Sequence, residues 1–304
     1  MNESLLRRSP GALRTWLQLL RAPNLFTVPG DPVAGYLISN AGFVDHTLPL
    51  VGLASLLFYG AGLLLNDLVD IAEDQEERPN RPLPSGNASP RSVRLVLWLL
   101  NGAGMALVAA TGQFKAVLAA GATVLAVWAY NCLTKKRAGW GALNMGLCRS
   151  LSMMIGAFAG PAPNAAPIAA VVALSTGLFI AAVTNLARFE TRQTPPKGAR
   201  LLPLFALLPG LLFGIQNSAY SPDKIPAAGI FTLTAAACLL LCMRLWKNPN
   251  PLPPFIGAHI RLLLPLQAAA CWFGASQGIG PACAVVLLAL WPVSKLVSRW
   301  FYAS

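Results

Sequence analysis

The chain has 304 residues, of which 55% are hydrophobic and 11% are charged, and its formal net charge at pH 7 is +12. Soluble domains carry about 25% charged residues, so this composition excludes an ordinary soluble domain and predicts an all-α, polytopic membrane protein. Basic residues gathered on one side of a membrane account for the positive charge. We therefore expect membrane lipids, and no nucleic acid, among the partners.

Residues 1–22 precede the first apolar stretch and mix Arg with Leu and Trp. This mixture lacks the apolar centre of a signal peptide and predicts an amphipathic helix lying on the membrane surface. The rest of the chain shows no change of composition that would mark a soluble domain. We expect residues 1–304 to form a single transmembrane domain with an interfacial segment at its start.

Ten apolar stretches follow in chain order, each a candidate membrane-spanning helix. They are 24–43, 48–65, 92–111, 114–132, 141–161, 167–186, 201–216, 226–245, 260–277 and 281–297. The first is interrupted by Pro29, Asp31 and Pro32, and the seventh is short. The sequence therefore predicts a helical bundle of nine or ten transmembrane helices.

The polar connections between these stretches differ in charge. With ten spans and the N-terminus inside, nearly all Lys and Arg residues fall on the inner side, whereas Lys115 and Lys224 fall outside. The positive-inside rule then places the N-terminus and the long connections 66–91, 187–200 and 246–259 in the cytoplasm. We expect an integral protein of the inner, or cytoplasmic, membrane whose functional loops lie on the inner side.

Acidic residues are concentrated just after the second apolar stretch, in the segment N66-D67-x-x-D70-x-x-x-D74. Positions i, i+3 and i+7 share one helix face, so Asp67, Asp70 and Asp74 would repel one another unless a cation joins them. Mg²⁺ prefers carboxylate oxygens and is commonly shared with substrate phosphates. The pattern predicts these aspartates as metal ligands and Asn66 as a diphosphate contact. The alternative, a solvated acidic helix end, does not account for the register.

The same segment and its continuation, R78-P-N-R81-P-L-P-S-G, resemble the first aspartate-rich motif of the UbiA superfamily of intramembrane prenyltransferases. The resemblance implies a UbiA-like bundle of nine spans that opens sideways to lipid, here with an additional C-terminal span or a split last one. It also implies Mg²⁺-dependent transfer of an isoprenoid group from a prenyl diphosphate to an acceptor, which is an aromatic ring, a hydroxyl or a polar headgroup. Arg78 and Arg81 either bind diphosphate oxygens or only follow the positive-inside rule.

Two further segments are similar to family features. Y130-N-C-L-T-K135-K136 resembles a Tyr–Lys pair after the fourth span, which implies that Tyr130 and one of the lysines bind the departing diphosphate. We take Lys135 as catalytic and Lys136 as substrate-binding, and the spacing leaves open which of them matters. The alternative is a basic cluster that only follows the positive-inside rule, with Tyr130 at the membrane interface. In the fifth span Asn144 and Arg149 are family-like, which implies that both contact the diphosphate. An arginine inside a span is functional by default, unless it snorkels to the interface.

The second aspartate-rich motif of the family is altered in this chain. N185-L-A-R188-F-E190-T-R192 has Asn and Arg at the places where the family has aspartates, and Lys197 follows. Either one Mg²⁺ remains and basic residues replace the charge of a second ion, or the site binds a diphosphate without turnover. We predict that the site is active and binds Mg²⁺, and the altered motif leaves open whether one or two ions are bound. We expect the diphosphate to be contacted by Asn185, Arg188, Arg192 and Lys197.

The altered motif and the segment R21-A-P-N24 are similar to a divergent bacterial branch of the superfamily, the ebo-cluster type. We expect Asn24 to face the headgroup end of the cavity and to contact the diphosphate. The allylic cation needs aromatic faces beside it. Candidates near the inner half of the spans are Phe58, Tyr59, Trp128, Tyr130 and Phe179.

Other functions are less well supported by the sequence. A catalytically silent protein that binds prenyl diphosphate or lipid is the main alternative, since the second motif is altered. A transporter is weaker, because carboxylates at the membrane surface do not suit a midplane ion site, and the Asp-Gly and Ala-Arg pattern of CDP-alcohol phosphotransferases is absent. Cys238 and Cys242 have no histidine near them in the sequence. We expect them to be buried free thiols and His259 to be structural or interfacial.

Overall fold

The computed structural model describes residues 11–161, 165–190 and 194–298, and these form helices with no β-strand among them. The helices of the first half are α1 (Ala12–Leu19), α2 (Ala22–Leu25), α3 (Gly30–Ser39), α4 (Thr47–Val69), α5 (Ile71–Glu77), α6 (Pro90–Ala109) and α7 (Phe114–Ala129), which continues as a π-helix over Tyr130–Thr134. Those of the second half are α8 (Trp140–Ala159), α9 (Ala166–Ala187), α10 (Lys197–Tyr220), α11 (Ile225–Lys247), α12 (Pro253–Arg261), α13 (Leu263–Gly274) and α14 (Ile279–Val297). The predicted all-α class is confirmed.

Nine helical segments of the described residues are long and apolar enough to cross a membrane. They are Thr47–Val69, Pro90–Ala109, Phe114–Thr134, Trp140–Ala159, Ala166–Ala187, Lys197–Asn217, Pro222–Lys247, Pro253–Gly274 and Ile279–Val297. The seventh predicted span, expected to be short, lies within the 24-residue helix α10. A multi-pass membrane architecture is thus confirmed, whereas the orientation of the bundle stays a prediction.

The first predicted span, 24–43, does not form a full-length helix. Its apolar part is α3, which has only ten residues and begins where the prolines interrupt the apolar run. Proline restricts the backbone and lacks an amide donor, so α2 does not continue directly into α3. Tyr36 and Leu37 of α3 are 0% exposed. Helix α3 is therefore a tenth, half-length element that lies inside the bundle.

Helix α1 leads the chain into the bundle with one face buried. Leu19 is 1% exposed, while Leu13 on the other face is 74% exposed, a division that is typical of an amphipathic helix. Arg21 then adopts a left-handed backbone conformation, with φ of 43°, and turns the chain between α1 and α2. Residues 1–10 lie outside the described part, and the interfacial position of this segment stays a prediction.

Helix α8 packs against α3, α7 and α9. Glycines permit the close approach, because a Cβ on Gly156 would overlap the carbonyl oxygen of Pro32 in α3. Likewise a Cβ on Gly177 in α9 would lie 2.8 Å from the carbonyl oxygen of Gly146 in α8. Small residues allow such backbone-to-backbone packing in membrane bundles. The polar side chains of α8 are thereby held at defined positions.

The last part of the bundle contains a divided span and one further span, the two alternatives by which this chain was expected to depart from the family pattern. The segment Pro253–Gly274 is divided into α12 and α13 at Leu262, and α14 follows as a further span. Successive long helices run antiparallel, so the ends of α4, α7, α9 and α11 lie at the same end of the bundle as the starts of α6, α8, α10 and α12. We call it the aspartate end, because Asp67, Asp70 and Asp74 follow directly from α4 there.

Candidate active site

A cavity of about 200 Å³ opens at the aspartate end between α4, α7 and α8. Its mouth is polar and its interior mostly apolar. Mouth residues are Arg21, Asn66, Tyr130 and Asn131. The deeper wall is formed by Val28, Phe58, Leu63, Val127 and Met145, together with the hydroxyl groups of Ser55, Thr123 and Ser152. Asn66 and Ser55 are separated by about 16 Å along α4, so the cavity reaches the middle of the bundle. A smaller cavity of about 50 Å³, between α9, α10, α11 and α13, has no charged group in its lining and only Ser175 and Thr176 as polar side chains.

The three aspartates lie on one continuous helical face, and Asp67 and Asp70 contact the mouth residues Arg21 and Asn66. Only Asp70 separates α4 from α5, and the backbone hydrogen bonds from Asp70 N to Asn66 O (3.0 Å) and from Asp74 N to Asp70 O (2.8 Å) carry the helical register across this junction. Asp67, Asp70 and Asp74 therefore lie on the same side, and they are 7%, 8% and 3% exposed. Carboxylates so far removed from water need positive charge beside them.

Arginines supply part of that charge. Arg81 Nη1 lies 2.7 Å from a carboxylate oxygen of Asp74 and 4.0 Å from one of Asp67, so one guanidinium bridges two aspartates. Arg78 lies 3.9 Å from Asp74. Arg21, in the turn between α1 and α2, lies 3.3 Å from Asp67. The sequence analysis did not assign Arg21 to the site, and no local signal marks it, since its contact spans 46 positions of the chain.

Lys135 supplies a fourth positive charge. Its ammonium group donates one hydrogen bond to Asp70 and another, of 2.9 Å, to the side-chain oxygen of Asn66. Lys136 instead pairs with Glu73 at 2.7 Å and is largely exposed. The hydrogen bond from Lys136 lowers the pKa of Glu73, and the same bond raises the pKa of Lys136. The spacing left open which of the two lysines acts at the site. In the structure it is Lys135 that contacts Asp70, whereas Lys136 pairs with Glu73.

Lys135 directly follows the π-helix that ends α7, and such π-helical turns are frequent at functional sites. Asn144 of α8 contacts this turn. In the amide orientation that satisfies both of its polar atoms, its nitrogen donates to Ala126 O (3.2 Å) and its oxygen accepts from Tyr130 N (3.1 Å). Asn144, predicted to bind diphosphate, thus holds the backbone that carries Tyr130 and Lys135.

Arg149 belongs to a polar network deeper in the bundle. Its guanidinium donates to the carboxylate of Asp31 (2.7 Å) and to the carbonyl oxygen of Thr27 (2.9 Å). Gln267 of α13 donates to the same two residues, at 2.7 Å each. Arg149 also lies 5.9 Å from the centre of the Tyr59 ring, within the range of a cation–π contact. This arginine is paired inside the bundle and lines the cavity.

The basic residues of the altered second motif are less closely tied to the cavity. Arg188 donates a hydrogen bond of 3.1 Å to Asn185. Lys197 is exposed at the start of α10, and its ammonium group lies 5.3 Å from the centre of the Trp246 ring. Arg192 lies outside the described residues. Diphosphate binding by these residues stays a prediction.

Two other residues lie near the aspartate end. Asn24 is in α2, where its carbonyl oxygen accepts a 2.9 Å hydrogen bond from the Thr27 hydroxyl. Glu190 is half-buried after α9, and this burial raises its pKa while nearby Arg78 lowers it. The turn that carries the second motif is therefore within electrostatic reach of the loop that carries the first.

Three of the five aromatic candidates, Phe58, Tyr59 and Tyr130, line the cavity. Trp128 instead stacks on Trp98, with ring centres 5.5 Å apart. Phe179 is fully buried in a hydrophobic core shared with α10 and α11. Helical periodicity in the sequence defines the faces of a helix but not its neighbours, so it did not separate these two from the three that line the cavity.

A second cluster of polar groups lies between α11 and α12. The ligand atoms of Cys238, Cys242 and His259 lie within 4.8 Å of one another, and no other three Cys, His, Asp or Glu residues of the described ranges form such a group. The expectation that the two cysteines have no histidine partner is therefore wrong. The connection 248–252 folds α12 back against α11 and brings His259 to them.

Residues 32–255 match the model of the UbiA prenyltransferase family, which is well over half of the chain. Together with the helical bundle and its cavity, this match defines the class of protein, which is that of membrane-embedded prenyltransferases. The chain belongs to the UbiA prenyltransferase family. The recognition made on the aspartate-rich segment is thus confirmed, while the narrower resemblance to the ebo-cluster branch stays a prediction.

Relatives of known name agree with this assignment. A solved structure, described as digeranylgeranylglyceryl phosphate synthase in membranes, matches over 94% of this chain and 99% of that one, with a TM-score of 0.59 and 21% identity; this similarity concerns the fold. Digeranylgeranylglyceryl phosphate synthase of Methanococcus aeolicus is 36% identical over 91 residues, 29% of this chain and 32% of the relative. That of Sulfurisphaera tokodaii is 29% identical over 152 residues, 49% of this chain and 53% of the relative. The matches span about a third to a half of the length of these relatives. Their names therefore do not assign a substrate to this chain.

Proposed function

We propose that the protein transfers an isoprenoid group from a prenyl diphosphate to an acceptor inside the membrane, with Mg²⁺ as its cofactor. One observation carries the proposal: three nearly buried aspartates, paired with Arg21, Arg81 and Lys135, lie next to Arg21 and Asn66, which line the mouth of a mostly apolar cavity. A substrate with a charged head and a long apolar tail has the complementary shape. A transporter is less well supported, because the acids lie at the end of the bundle.

The aspartates fit Mg²⁺, whose preferred ligands are carboxylate oxygens. Arg81 contacts both Asp67 and Asp74, and the Asn66 amide donates to both Asp67 (3.4 Å) and Asp70 (3.1 Å). Asp67 therefore shares one partner with Asp74 and another with Asp70, although the oxygens of the three carboxylates do not all lie within 4.8 Å of one another. An ion bound by all three would draw them together. When bound there, Mg²⁺ supplies charge neutralisation for diphosphate oxygens as the bond to carbon breaks.

The basic residues at the mouth are the other diphosphate ligands in this proposal. Arg21, Arg81 and Lys135 each have donors beyond those given to an aspartate, and a guanidinium suits bidentate contact with phosphate oxygens. Because the second motif has Arg188 in place of an aspartate, we propose a single Mg²⁺, with basic side chains neutralising the remaining negative charge.

The reaction breaks the bond between the allylic carbon and a diphosphate oxygen, which leaves with the electron pair. Positive charge then develops on the carbon beside the rings of Phe58, Tyr59 and Tyr130, whose faces attract cations. A lone pair of the acceptor hydroxyl forms the new bond to this carbon, and the acceptor gives up its proton to an oxygen of the released diphosphate. Apolar walls keep out the water that would otherwise capture the cation.

For the acceptor we propose a hydroxyl on a phosphate-bearing polar lipid precursor. The curated relatives are named digeranylgeranylglyceryl phosphate synthases, and that name contains a glyceryl phosphate. Arg78, with its side chain 49% exposed beside Asp74, offers a positive charge for such a headgroup at the mouth. An aromatic acceptor is the alternative.

A protein that binds the diphosphate without turnover is the second candidate, and the Asn and Arg residues of the second motif favour it. Incubation of the purified protein in detergent with labelled prenyl diphosphates of several lengths and a lipid extract, with Mg²⁺ or with EDTA, separates the two. Labelled lipid that forms only with Mg²⁺ supports transfer. Bound label without product supports the silent binder, and neither binding nor product contradicts both.

A further inference from the structure

The cluster between α11 and α12 has the geometry of a closed ligand site. Cys238 and Cys242 are four positions apart on α11 and so share a face of that helix, and α12 brings His259 against them. The sulfur of Cys242 and Nε2 of His259 are 3.8 Å apart. All three residues are 0% exposed. Nothing in the proposed prenyl transfer uses them, since none of them lines the cavity.

The tautomer of His259 is set by its other ring nitrogen. Nδ1 lies 2.7 Å from the carbonyl oxygen of Phe255, and a carbonyl oxygen only accepts hydrogen bonds. Nδ1 therefore carries the proton, and the lone pair of Nε2 points to the Cys242 sulfur. A histidine that donates its second N–H to a carbonyl in this way is typical of metal-bound histidines, because that bond fixes the ring and raises its basicity.

We propose that Cys238, Cys242 and His259 bind one thiophilic metal ion, Zn²⁺ or Cu⁺. Thiolate and imidazole are the ligand types that both ions prefer. Two thiolates and one Zn²⁺ form a neutral unit, which suits the apolar surroundings. The three-ligand set suits Cu⁺, since structural zinc sites almost always have four ligands. The two ions are separate arms of the experiment.

Such an ion would fasten α12 to α11 close to the aspartate end. Cys242 lies about 8 Å along the helix from Lys247, where α11 ends. Helix α12 leads directly into α13, whose Gln267 hydrogen-bonds Asp31 in the network behind the cavity. Metal binding at a site made by two segments of a chain stabilises their docking. The ion would therefore stabilise the position of α13 as well.

A metal-free cluster has a different chemistry, which the test must distinguish. In that case the Cys242 thiol donates a weak hydrogen bond to Nε2 of His259 and no ion is held.

The protein is purified in detergent without a histidine tag, and its metal content is measured by mass spectrometry. Metal is then removed. For the Zn²⁺ arm the protein is titrated with Co²⁺ as a spectroscopic substitute, whose thiolate complexes absorb in the near ultraviolet. For the Cu⁺ arm it is titrated anaerobically with Cu⁺ in competition with a coloured Cu⁺ chelator.

We expect one ion per chain, and the ion that is retained identifies the metal. Cys238→Ala, Cys242→Ala and His259→Ala should each lose it. Cys271→Ala is the matched control, because Cys271 is also 0% exposed but belongs to no such cluster, and it should keep the ion. Stoichiometric binding of neither metal by the wild-type chain overturns the proposal, as does equal loss in the Cys271→Ala control.

A second measurement needs only the wild-type chain and so does not depend on the folding of variants. Because Cys238 and Cys242 are buried, thiol alkylation is followed by mass spectrometry in graded denaturant that exposes them, with and without the added ion. We expect the ion to slow the alkylation of Cys238 and Cys242 and to leave that of Cys132, an exposed cysteine, unchanged. Equal alkylation rates with and without the ion contradict the proposal, whatever the outcome of the prenyl-transfer assay.

Discussion

The carboxylate of Asp31 and the guanidinium of Arg149 form an ion pair of 2.7 Å inside the bundle. Asp31 is 0% exposed, and the amide of Gln267 binds its other oxygen. The pair joins the half-length helix α3 to α8 and holds Arg149 beside the Tyr59 ring at the cavity wall. Because Asp31 neutralises the arginine, a cation that develops next to Tyr59 meets less repulsion than an isolated guanidinium would cause.

Removal of one partner of this pair should be costly. Asp31→Asn leaves Arg149 charged and unpaired in an apolar environment, and breaking a buried ion pair costs about 3–5 kcal/mol of the free energy of unfolding. The double variant Asp31→Asn/Arg149→Gln removes both charges and should recover much of that loss. Denaturant titration in detergent measures the free energy of unfolding of the two single variants, Asp31→Asn and Arg149→Gln, and of the double variant. A double variant as unstable as the sum of the single ones would show that the two side chains do not interact.

The aspartates at the mouth should control catalysis. Asp67→Asn or Asp70→Asn removes a charge that the proposed Mg²⁺ and the basic residues share, and we expect Mg²⁺-dependent release of diphosphate to fall by about 100-fold or more. Glu76→Gln is the matched control, since Glu76 is an exposed carboxylate of the same segment, and it should keep wild-type activity. Full activity of Asp67→Asn at saturating substrate would remove Asp67 from the mechanism.

The arrangement of these aspartates could be predicted from the sequence because it depends on local geometry alone. The spacing of Asp67, Asp70 and Asp74 defines one helix face, and hydrogen bonds across Asp70 preserve that register in the structure. Their partners could not be predicted in the same way. Arg21 itself adopts a left-handed backbone conformation that turns the chain after α1, and from this turn its side chain reaches Asp67. Lys135 reaches Asp70 from a span that is distant in the sequence.

Two other differences between sequence and structure have the same origin. An apolar run of adequate length predicted a first span, but the burial of α3 on all sides depends on neighbouring helices that hydropathy does not describe. His259 was assigned no partner, because Cys242 lies on a different helix and the intervening connection decides whether the two meet. Composition and periodicity define single helices, whereas contacts between helices depend on how the whole bundle packs.

The depth of the cavity should determine which prenyl chains are accepted. Ser152 lies about 18 Å along α8 from the aspartate end and lines the cavity. Ser152→Leu adds side-chain volume to a space of about 200 Å³, and we expect KM for long prenyl diphosphates to rise about 10-fold or more. KM for the shortest substrate should change little and serves as the internal control. An equal rise for all chain lengths would mean that the tail does not reach Ser152.

Glu190 should make stability depend on pH. Burial raises its pKa above the ordinary value of 4.5, although Arg78 opposes the shift. The folded chain therefore binds this proton more readily than the unfolded chain, and stability falls as pH rises from 4.5 through the folded pKa. Glu190→Gln avoids this loss, so its Tm should exceed that of the wild type at neutral pH and equal it at about pH 4. A lower Tm of the variant at neutral pH would show that the attraction of Arg78 outweighs burial.

The contact between α8 and α9 should tolerate no added methyl group. A Cβ on Gly177 would lie 2.8 Å from the carbonyl oxygen of Gly146, and because that atom belongs to a helix backbone, the two helices must separate. We expect Gly177→Ala to lower the free energy of unfolding by about 1–3 kcal/mol. Gly121→Ala is the control, since a Cβ there meets nothing within 4 Å, and alanine in a helix is about 0.5–1 kcal/mol more favourable than glycine. Equal stability of the two variants in denaturant titrations would show that α8 and α9 approach less closely than described.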